Sequence, residues 1–213
     1  MHTLVFATQK GGSGKSTLAA CIAVAARQAG ERVFVLDMDP QRSLVQWAKM
    51  RAESSIPVEP VSAGKLPAAL AALAAAKITL VIIDTPGTDC AAATAAMAAA
   101  DLCIIPARPT AFDLWSSEAT RKILAGLGKP FAFVLAQCPA QASPRVADGA
   151  AALEAMGGLL TPLVTARVDY QEAMSHGLGV TELNADGRAA HEMRDLWRSI
   201  KRMLGRGRAK KAA

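Results

Sequence analysis

Residues 10–17 read Lys10-Gly11-Gly12-Ser13-Gly14-Lys15-Ser16-Thr17, and they lie between an apolar run at 4–7 and a helical pattern that begins at Lys15. A strand, a glycine-rich loop and a helix in this order form a cradle for phosphates, because glycines let backbone amides turn towards the anion. The helix N-terminus adds free amides and the positive end of its dipole. We therefore predict that all eight residues contact a nucleotide, with Lys15 on the β- and γ-phosphates and Ser16 on magnesium.

The start of this loop departs from the usual phosphate-binding pattern. That pattern places its first glycine where Gln9 stands, and Lys10 follows inside the loop. Lys10-Gly-Gly-x-Gly-Lys-Ser-Thr resembles the deviant Walker A loop of the ParA/MinD family of dimerising ATPases. The resemblance implies ATP and Mg²⁺ as cofactors, and an ATP-dependent homodimer in which Lys10 reaches across a two-fold interface to the partner's nucleotide.

Apolar segments alternate with helical patterns along the chain. Strands are predicted at 4–8, 32–36, 79–83, 102–105, where Pro106 closes the strand, 131–136 and 163–165. Continuous apolar strands separated by helices predict an α/β fold, with a mostly parallel sheet covered by helices on both faces. We expect one P-loop ATPase domain at 1–204, with the terminal helix at 188–204, and a basic, disordered tail at 205–213. No helix-turn-helix domain is expected ahead of the first strand.

Two aspartates follow the second predicted strand, in Asp37-Met38-Asp39-Pro40-Gln41. Ligands of open α/β sheets bind at the carboxyl ends of the strands, which brings both acids near the phosphates. The family resemblance assigns Asp39 to orienting the attacking water and Asp37 to the magnesium shell, with Asp39, Pro40 and Gln41 as a switch. In the alternative interpretation, one of the two aspartates caps the next helix.

A second acidic segment follows four apolar residues at 80–83 and reads Asp84-Thr85-Pro86-Gly87. It resembles a Walker B strand, which implies that Asp84 holds magnesium through water. Thr85, Pro86 and Gly87 would then form a second switch that senses the γ-phosphate. The predicted catalytic set is Lys10, Lys15 and Asp39.

Two later segments carry weaker signals. Residues 106–113 resemble a family segment near the dimer interface, and they contain Asp113, which is either functional or a cap for a helix that starts near Ser116. After the last core strand, Arg167 and Val168 are predicted by resemblance to border the adenine. Arg167 is alternatively a DNA contact.

The net charge of +6 is concentrated at the C-terminus. Residues 188–213 contain nine basic and two acidic side chains, 9 − 2 = +7, which predicts a polyanionic partner. The resemblance implies non-specific DNA binding in the ATP state. Its candidate residues are Arg167, Arg194, Arg198, Lys201 and Arg202.

The same C-terminal segment also has an apolar stripe. The stripe consists of Leu196, Trp197, Ile200, Met203 and Leu204. One alternative function is therefore a MinD-like ATPase that acts at the membrane surface through an amphipathic helix. In a simpler interpretation, the stripe packs on the sheet and only the basic side faces outwards.

Composition narrows the remaining function classes. The four cysteines form no C-x-x-C pair, so we expect buried thiols rather than a zinc or iron–sulfur site. No export signal or bilayer-spanning run is recognisable, which predicts a cytoplasmic protein. The family resemblance, with its DNA binding, implies association with the nucleoid of a bacterium. The predicted function is a ParA-like ATPase that segregates a plasmid, a chromosome region or a protein cluster. A ParB-like or cargo adaptor protein would stimulate its hydrolysis. A metabolic synthetase on the same scaffold would need a substrate pocket, for which no motif is present.

Overall fold

The computed structural model describes residues 1–51 and 55–212, with side chains described up to residue 206. Its central feature is a six-stranded sheet in the order β3-β2-β4-β1-β5-β6, in which every neighbouring pair is parallel. The strands are β1 (His2–Phe6), β2 (Val33–Asp37), β3 (Val58–Pro60), β4 (Leu80–Asp84), β5 (Leu102–Ala107) and β6 (Phe131–Leu135). The predicted α/β class is confirmed.

Helices cover both faces of the sheet. They are α1 (Lys15–Gln28), α2 (Ser43–Met50), α3 (Leu66–Ala75), α4 (Ala91–Ala99), α5 (Ala111–Gly126), α6 (Pro144–Ala155), α7 (Val168–Ser175), α8 (Val180–Leu183) and α9 (Arg188–Ala212). Side chains of α1, α2 and α7–α9 share one apolar core, and those of α3–α6 share the other. Alternation along β1 supplies both cores, because Leu4 faces the first and Val5 faces the second.

The apolar stripe of α9 packs against the fold. Leu196, Trp197, Ile200 and Leu204 are buried in the core that contains α1, and Met203 is partly buried against it. The exposed side of this helix therefore carries Arg198, Lys201 and Arg202. The apolar stripe therefore packs against the fold, as the simpler of the two interpretations predicts, and is not available for membrane binding.

Helix α9 also extends past its predicted end at residue 204. Residues 205–212, predicted as a disordered tail, continue the helix, and residue 213 lies outside the described residues. The docked turns before Gly205 provide a helical template, and the arginine, lysine and alanine residues that follow are favourable helix formers.

Three predicted boundaries near the carboxyl edge of the sheet were wrong. Strand β5 continues through Pro106 because its pairing with β1 ends at Ile104, so the missing N–H interrupts no bond of that ladder. Helix α5 begins at Ala111 rather than near Ser116, since the Thr110 side chain caps it by accepting from the Asp113 amide. The strand predicted at 163–165 is reduced to a single bridge, Cys138 to Thr165.

Candidate nucleotide-binding site

The phosphate loop lies at the carboxyl end of β1 and runs directly into α1. Gly12 and Gly14 have φ values of 73° and 94°, which only glycine adopts without strain. Gly14 is the N-cap of α1, and neither a side-chain cap nor an acidic residue neutralises the first turn of this helix. Its amides therefore face the loop as donors for an anion. The Lys15 ammonium is buried and donates to the Lys10 carbonyl at 3.1 Å.

The loop and both predicted switches surround one cavity of about 530 Å³. Its lining residues are Gly11, Gly12, Gly14, Lys15, Ser16, Thr17, Asp39, Pro40, Gln41, Ser43, Pro86, Gly87 and Thr88. Burial lowers the pKa of Lys15, although the carboxylates of Asp84 and Asp39 oppose that shift. A polyanion in this cavity would compensate the buried ammonium.

Ser16 and Asp84 form the part of the site that fits a magnesium ion. The Ser16 hydroxyl donates to Asp84 Oδ2 at 2.5 Å, whereas the buried Oδ1 has no hydrogen-bond partner among the described residues. Burial, with a contribution from Asp37, raises the pKa of Asp84 to about 7 despite the Ser16 bond and the Lys15 charge. An unpaired carboxylate oxygen beside a hydroxyl and a phosphate cradle is a donor set suited to Mg²⁺.

Asp37 does not line the phosphate cavity, and its carboxylate binds backbone amides of α2 instead. Its carboxylate is fully buried and accepts from the Leu44 and Val45 amides, at 3.1 and 3.2 Å, in the first turn of α2. Burial raises its pKa, and these amide bonds partly oppose that shift. Asp37 therefore caps α2, as the alternative interpretation proposed for one of the two acids. It is also the register partner of Asp84 in the sheet, which keeps the two carboxylates adjacent.

The two switch segments approach the loop from neighbouring strands. Asp39 is half-buried on the cavity wall, and its Oδ1 accepts from the Gln41 amide at 2.9 Å. The Thr85 hydroxyl is buried and donates to the Phe6 carbonyl at 2.9 Å, which ties the second switch to β1. A Cβ at Gly87 would lie 3.1 Å from the Gly11 nitrogen, so glycine permits the close approach of switch and loop.

Lys10 is held within its own chain by Asp113. Its ammonium lies 2.8 Å from Asp113 Oδ2, and the Arg108 guanidinium lies 3.1 Å from Oδ1. The Thr110 hydroxyl also donates to this carboxylate, at 2.6 Å. Although burial alone would raise the pKa of Asp113, the hydrogen bonds from Arg108, Lys10 and Thr110 bring it down to about 2. Asp113 lies inside α5 and does not cap a helix near Ser116.

A second cavity, of about 520 Å³, adjoins the phosphate loop at Gly14 and Thr17. Its other lining residues are Leu18, Ala136, Gln137, Thr165, Ala166, Arg167, Val168, Tyr170, Gln171 and Met174. The structure thus places Arg167 and Val168 on the wall of a cavity beside the loop, and their contact with adenine stays a prediction. Arg167 donates to Glu192 at 2.9 Å, and Val168 is 72% exposed.

Sequence reasoning missed several residues of this second cavity. Gln137 follows β6 at the carboxyl edge of the sheet, so the position of its strand was a usable signal. Its amide nitrogen donates to the Gly12 carbonyl at 2.9 Å. No local signal pointed to the contact between Tyr170 and Glu192, because it depends on how α9 docks; Glu192 does not line the cavity but accepts a hydrogen bond from the Tyr170 hydroxyl.

The predicted DNA-binding cations of α9 differ in how their charge is compensated. Arg198 pairs with Asp195, and Lys201 lies 2.8 Å from Glu31. Arg194 and Arg202 instead donate to neutral oxygens, the Ala185 carbonyl and the Ser199 hydroxyl. Arg202 is exposed, whereas Arg194 is half-buried.

In the part of the chain that the structure describes, no helix combines the length and the apolar character needed to cross a bilayer.

Comparison with known proteins agrees with this geometry. Residues 4–207 match the family model of the CobQ/CobB/MinD/ParA nucleotide binding domain. The maintenance of carboxysome distribution protein A of Halothiobacillus neapolitanus is 33% identical over 205 residues, which cover 88% of this chain and 90% of that protein. Protein ParA of Rhizobium radiobacter is 30% identical over 139 residues, or 59% of this chain and 57% of the relative.

Solved structures show the same fold. The cell division ATPase MinD of Pyrococcus furiosus superposes with a TM-score of 0.79 at 18% identity, over 95% of this chain and 99% of that one. The ATP complex of a Cyanothece McdA variant gives 0.73 at 20% identity, over 96% of each chain. The chain therefore belongs to the CobQ/CobB/MinD/ParA family of nucleotide-binding domains, whose MinD and ParA members are ATPases.

Proposed function

We propose that this chain is an ATP-hydrolysing positioning protein that works as an ATP-dependent homodimer. The observation that carries the proposal is the shared cavity of about 530 Å³, where the phosphate loop meets Asp39 and the second switch while Asp84 lies behind Ser16. The relatives named for carboxysome distribution and ParA support a role in positioning or segregating a cargo. A plasmid, a chromosome region and a protein cluster are the cargo classes of this proposal.

Each residue of the cavity has a proposed task. The amides of the loop and of the first turn of α1 bind the phosphates, and Lys15 neutralises the β- and γ-phosphates. Asp39 orients the attacking water, while Ser16 and Asp84 hold Mg²⁺ with Asp37 in the surrounding shell. When bound, the metal supplies charge stabilisation for the transferred phosphoryl group. The switches at 39–41 and 85–87 respond to the γ-phosphate.

Dimerisation is proposed to occur through the face that carries the phosphate loop. Lys10 would leave Asp113 and reach the nucleotide of the partner, as an arginine finger does in trans. Phe112 and Trp115 support this choice, because they are 68% and 67% exposed and pack edge to face at 5.4 Å beside Lys10. Exposed aromatic pairs of this kind are typical of surfaces that become buried on association.

The ATP-bound dimer is proposed to bind DNA without sequence preference through the outer side of α9, in the cytoplasm and on the nucleoid. The exposed cations of α9 support a polyanionic partner. Hydrolysis, stimulated by a ParB-like or cargo adaptor protein, would open the dimer and release the DNA. A membrane-surface role is disfavoured, because Leu196, Trp197 and Ile200 of the apolar stripe are buried in the core.

Size-exclusion chromatography with ATP tests this proposal. We expect Lys15→Ala to lose ATP binding, because the cavity loses its main phosphate cation. We expect Asp39→Ala to retain ATP, stay dimeric and remain bound to DNA, because the water is no longer oriented. An Asp39→Ala protein that binds ATP and elutes as a monomer would contradict the proposal.

A further inference from the structure

Through its carboxylate, Glu192 accepts four hydrogen bonds from residues 165–170. It lies in the N-terminal part of α9, and its side chain is only 15% exposed. Its two carboxylate oxygens accept from the Thr165 amide at 3.3 Å, the Thr165 hydroxyl at 2.8 Å, Arg167 Nη2 at 2.9 Å and the Tyr170 hydroxyl at 3.2 Å. Glu192 itself is not among the residues that line the neighbouring cavity.

The three residues that donate these bonds all line the cavity of about 520 Å³ beside the phosphate loop. Thr165 and Arg167 lie in irregular backbone with one bridge, from Cys138 to Thr165, whereas Tyr170 lies in the first turn of α7. Bonds from the Ala166 amide to Cys138 and from the Val164 amide to Leu135 attach the segment to the end of β6. The side chains of Arg167 and Tyr170 are oriented by the carboxylate of α9.

The four hydrogen bonds from Thr165, Arg167 and Tyr170 all end on the single carboxylate of Glu192. Hydrogen bonds to an ionised acceptor are stronger than neutral ones, and a buried acceptor that serves several donors restrains all of them at once. The Glu192 carboxylate raises the pKa of Arg167, and burial together with this carboxylate raises that of Tyr170. Removing the carboxylate would leave several donors without an acceptor.

We propose that Glu192 is a positioning residue for nucleotide binding: from behind the cavity wall, it holds Thr165, Arg167 and Tyr170 in the arrangement that receives the nucleoside part of ATP. The inference rests on the proposed function, since it assumes that the cavity beside Gly14 receives the base and sugar. Glu192 acts through these three residues, and none of its hydrogen bonds within the described part of the chain reaches the phosphate loop. Its effect is therefore on the nucleoside and not on the phosphates.

The distinction between nucleoside and phosphates gives a direct test. Dissociation constants for ATP and for inorganic tripolyphosphate are measured by calorimetry for the wild type, Glu192→Ala and Glu192→Gln. We expect Glu192→Ala to weaken ATP binding about tenfold and to leave tripolyphosphate binding within about twofold. Glu192→Gln keeps one acceptor oxygen, so it restores part of the ATP affinity.

Two further variants keep the test informative if Glu192→Ala folds poorly. Asp195→Asn removes a neighbouring carboxylate of α9 that pairs with Arg198, and it should leave both affinities unchanged. Tyr170→Phe removes one donor while keeping the ring, and it should weaken ATP binding without affecting tripolyphosphate.

Equal losses for ATP and tripolyphosphate, or no loss in any of the variants, would overturn the positioning role while leaving the proposed function intact. A wild type that binds tripolyphosphate and ATP equally well would overturn the positioning role in the same way. A wild type that binds neither ligand would overturn the proposed function and the positioning role with it.

Discussion

The ammonium of Lys10, the first residue of the phosphate loop, lies 2.8 Å from Asp113 of the same chain. Asp113 also holds Arg108 and Thr110, so one buried carboxylate gathers three donors from the loop and from the start of α5. A lysine engaged in this way is free for a partner's nucleotide only after the pair has opened. Dimerisation would therefore exchange one anionic partner of Lys10 for another.

Replacing Asp113 by asparagine should lower stability, because two cations would remain close together without their shared carboxylate. We expect Asp113→Asn to lower the free energy of unfolding by about 2 kcal/mol at pH 7. Urea unfolding followed by circular dichroism measures this loss. The control is Asp89→Asn, which removes an exposed carboxylate and should change stability little.

The stabilisation lost in Asp113→Asn should depend on pH. Folding lowers the pKa of Asp113 from 3.8 to about 2, so its contribution is complete above about pH 4 and is lost as the pH falls towards 2. The difference in unfolding free energy between wild type and Asp113→Asn should stay constant from pH 7 to 5 and shrink below pH 4. A difference that grows on acidification would contradict the ion-pair assignment.

Asp84 should govern the magnesium dependence of ATP binding. Asp84→Asn removes the charge from a carboxylate whose buried Oδ1 has no hydrogen-bond partner among the described residues. The gain in ATP affinity on adding Mg²⁺ should therefore be largely lost in calorimetry. Folding raises the pKa of Asp84 from 3.8 to about 7, so the ionised carboxylate lowers stability as the pH rises between these values. The neutral amide should therefore not destabilise the protein at pH 7, and a large loss of stability would argue for a structural role.

The exposed aromatic pair should affect association rather than nucleotide binding. We expect Phe112→Ser and Trp115→Ser each to weaken the ATP-bound dimer about tenfold or more in sedimentation velocity. ATP affinity of the monomer should be unchanged. Leu127→Ser, at the other end of the same helix, is the matched control and should leave the dimer intact. Normal dimerisation of both aromatic variants would place the interface elsewhere.

The salt dependence of DNA binding tests the outer side of α9. Arg202 is exposed, and among the described residues its guanidinium donates only to the neutral Ser199 hydroxyl. Arg202→Ala should therefore reduce the slope of log Kobs against log salt by about 0.9. Arg121→Ala removes a cation of α5 that is already paired with Glu118, and it should leave the slope unchanged. An unaltered slope for Arg202→Ala would exclude this residue as a phosphate contact.

The local features of the molecule were predictable, and the long-range contacts were not. The phosphate loop, the parallel sheet and the cavity position of Asp39 follow from strand ends and glycine spacing, which neighbouring residues determine. The pair of Lys10 with Asp113 joins positions 103 apart in the chain, and it depends on β1 and β5 being neighbours. The Glu192 contacts depend in turn on how α9 packs against α1.

A proline and a helix start caused two of the boundary errors. Pro106 is typical of a strand end. The pairing of β5 with β1 ends at Ile104, however, so the missing N–H of Pro106 interrupts no hydrogen bond between these strands. Ser116 reads as a helix cap, but Thr110 starts the helix earlier because its hydroxyl reaches the Asp113 amide. The continuation of β5 depends on a neighbouring strand that sequence periodicity does not reveal. Thr110 and Asp113 are only three residues apart, so their cap was a usable local signal.

The central claim is that Lys10 completes the nucleotide site of a second copy of this chain. Sedimentation velocity with ATP and Mg²⁺ tests it most directly, on Asp39→Ala and on the double variant Asp39→Ala/Lys10→Ala, with bound ATP measured in parallel. We predict that Asp39→Ala is a dimer, whereas the double variant binds ATP and is a monomer. A double variant that dimerises as tightly as Asp39→Ala would contradict the claim.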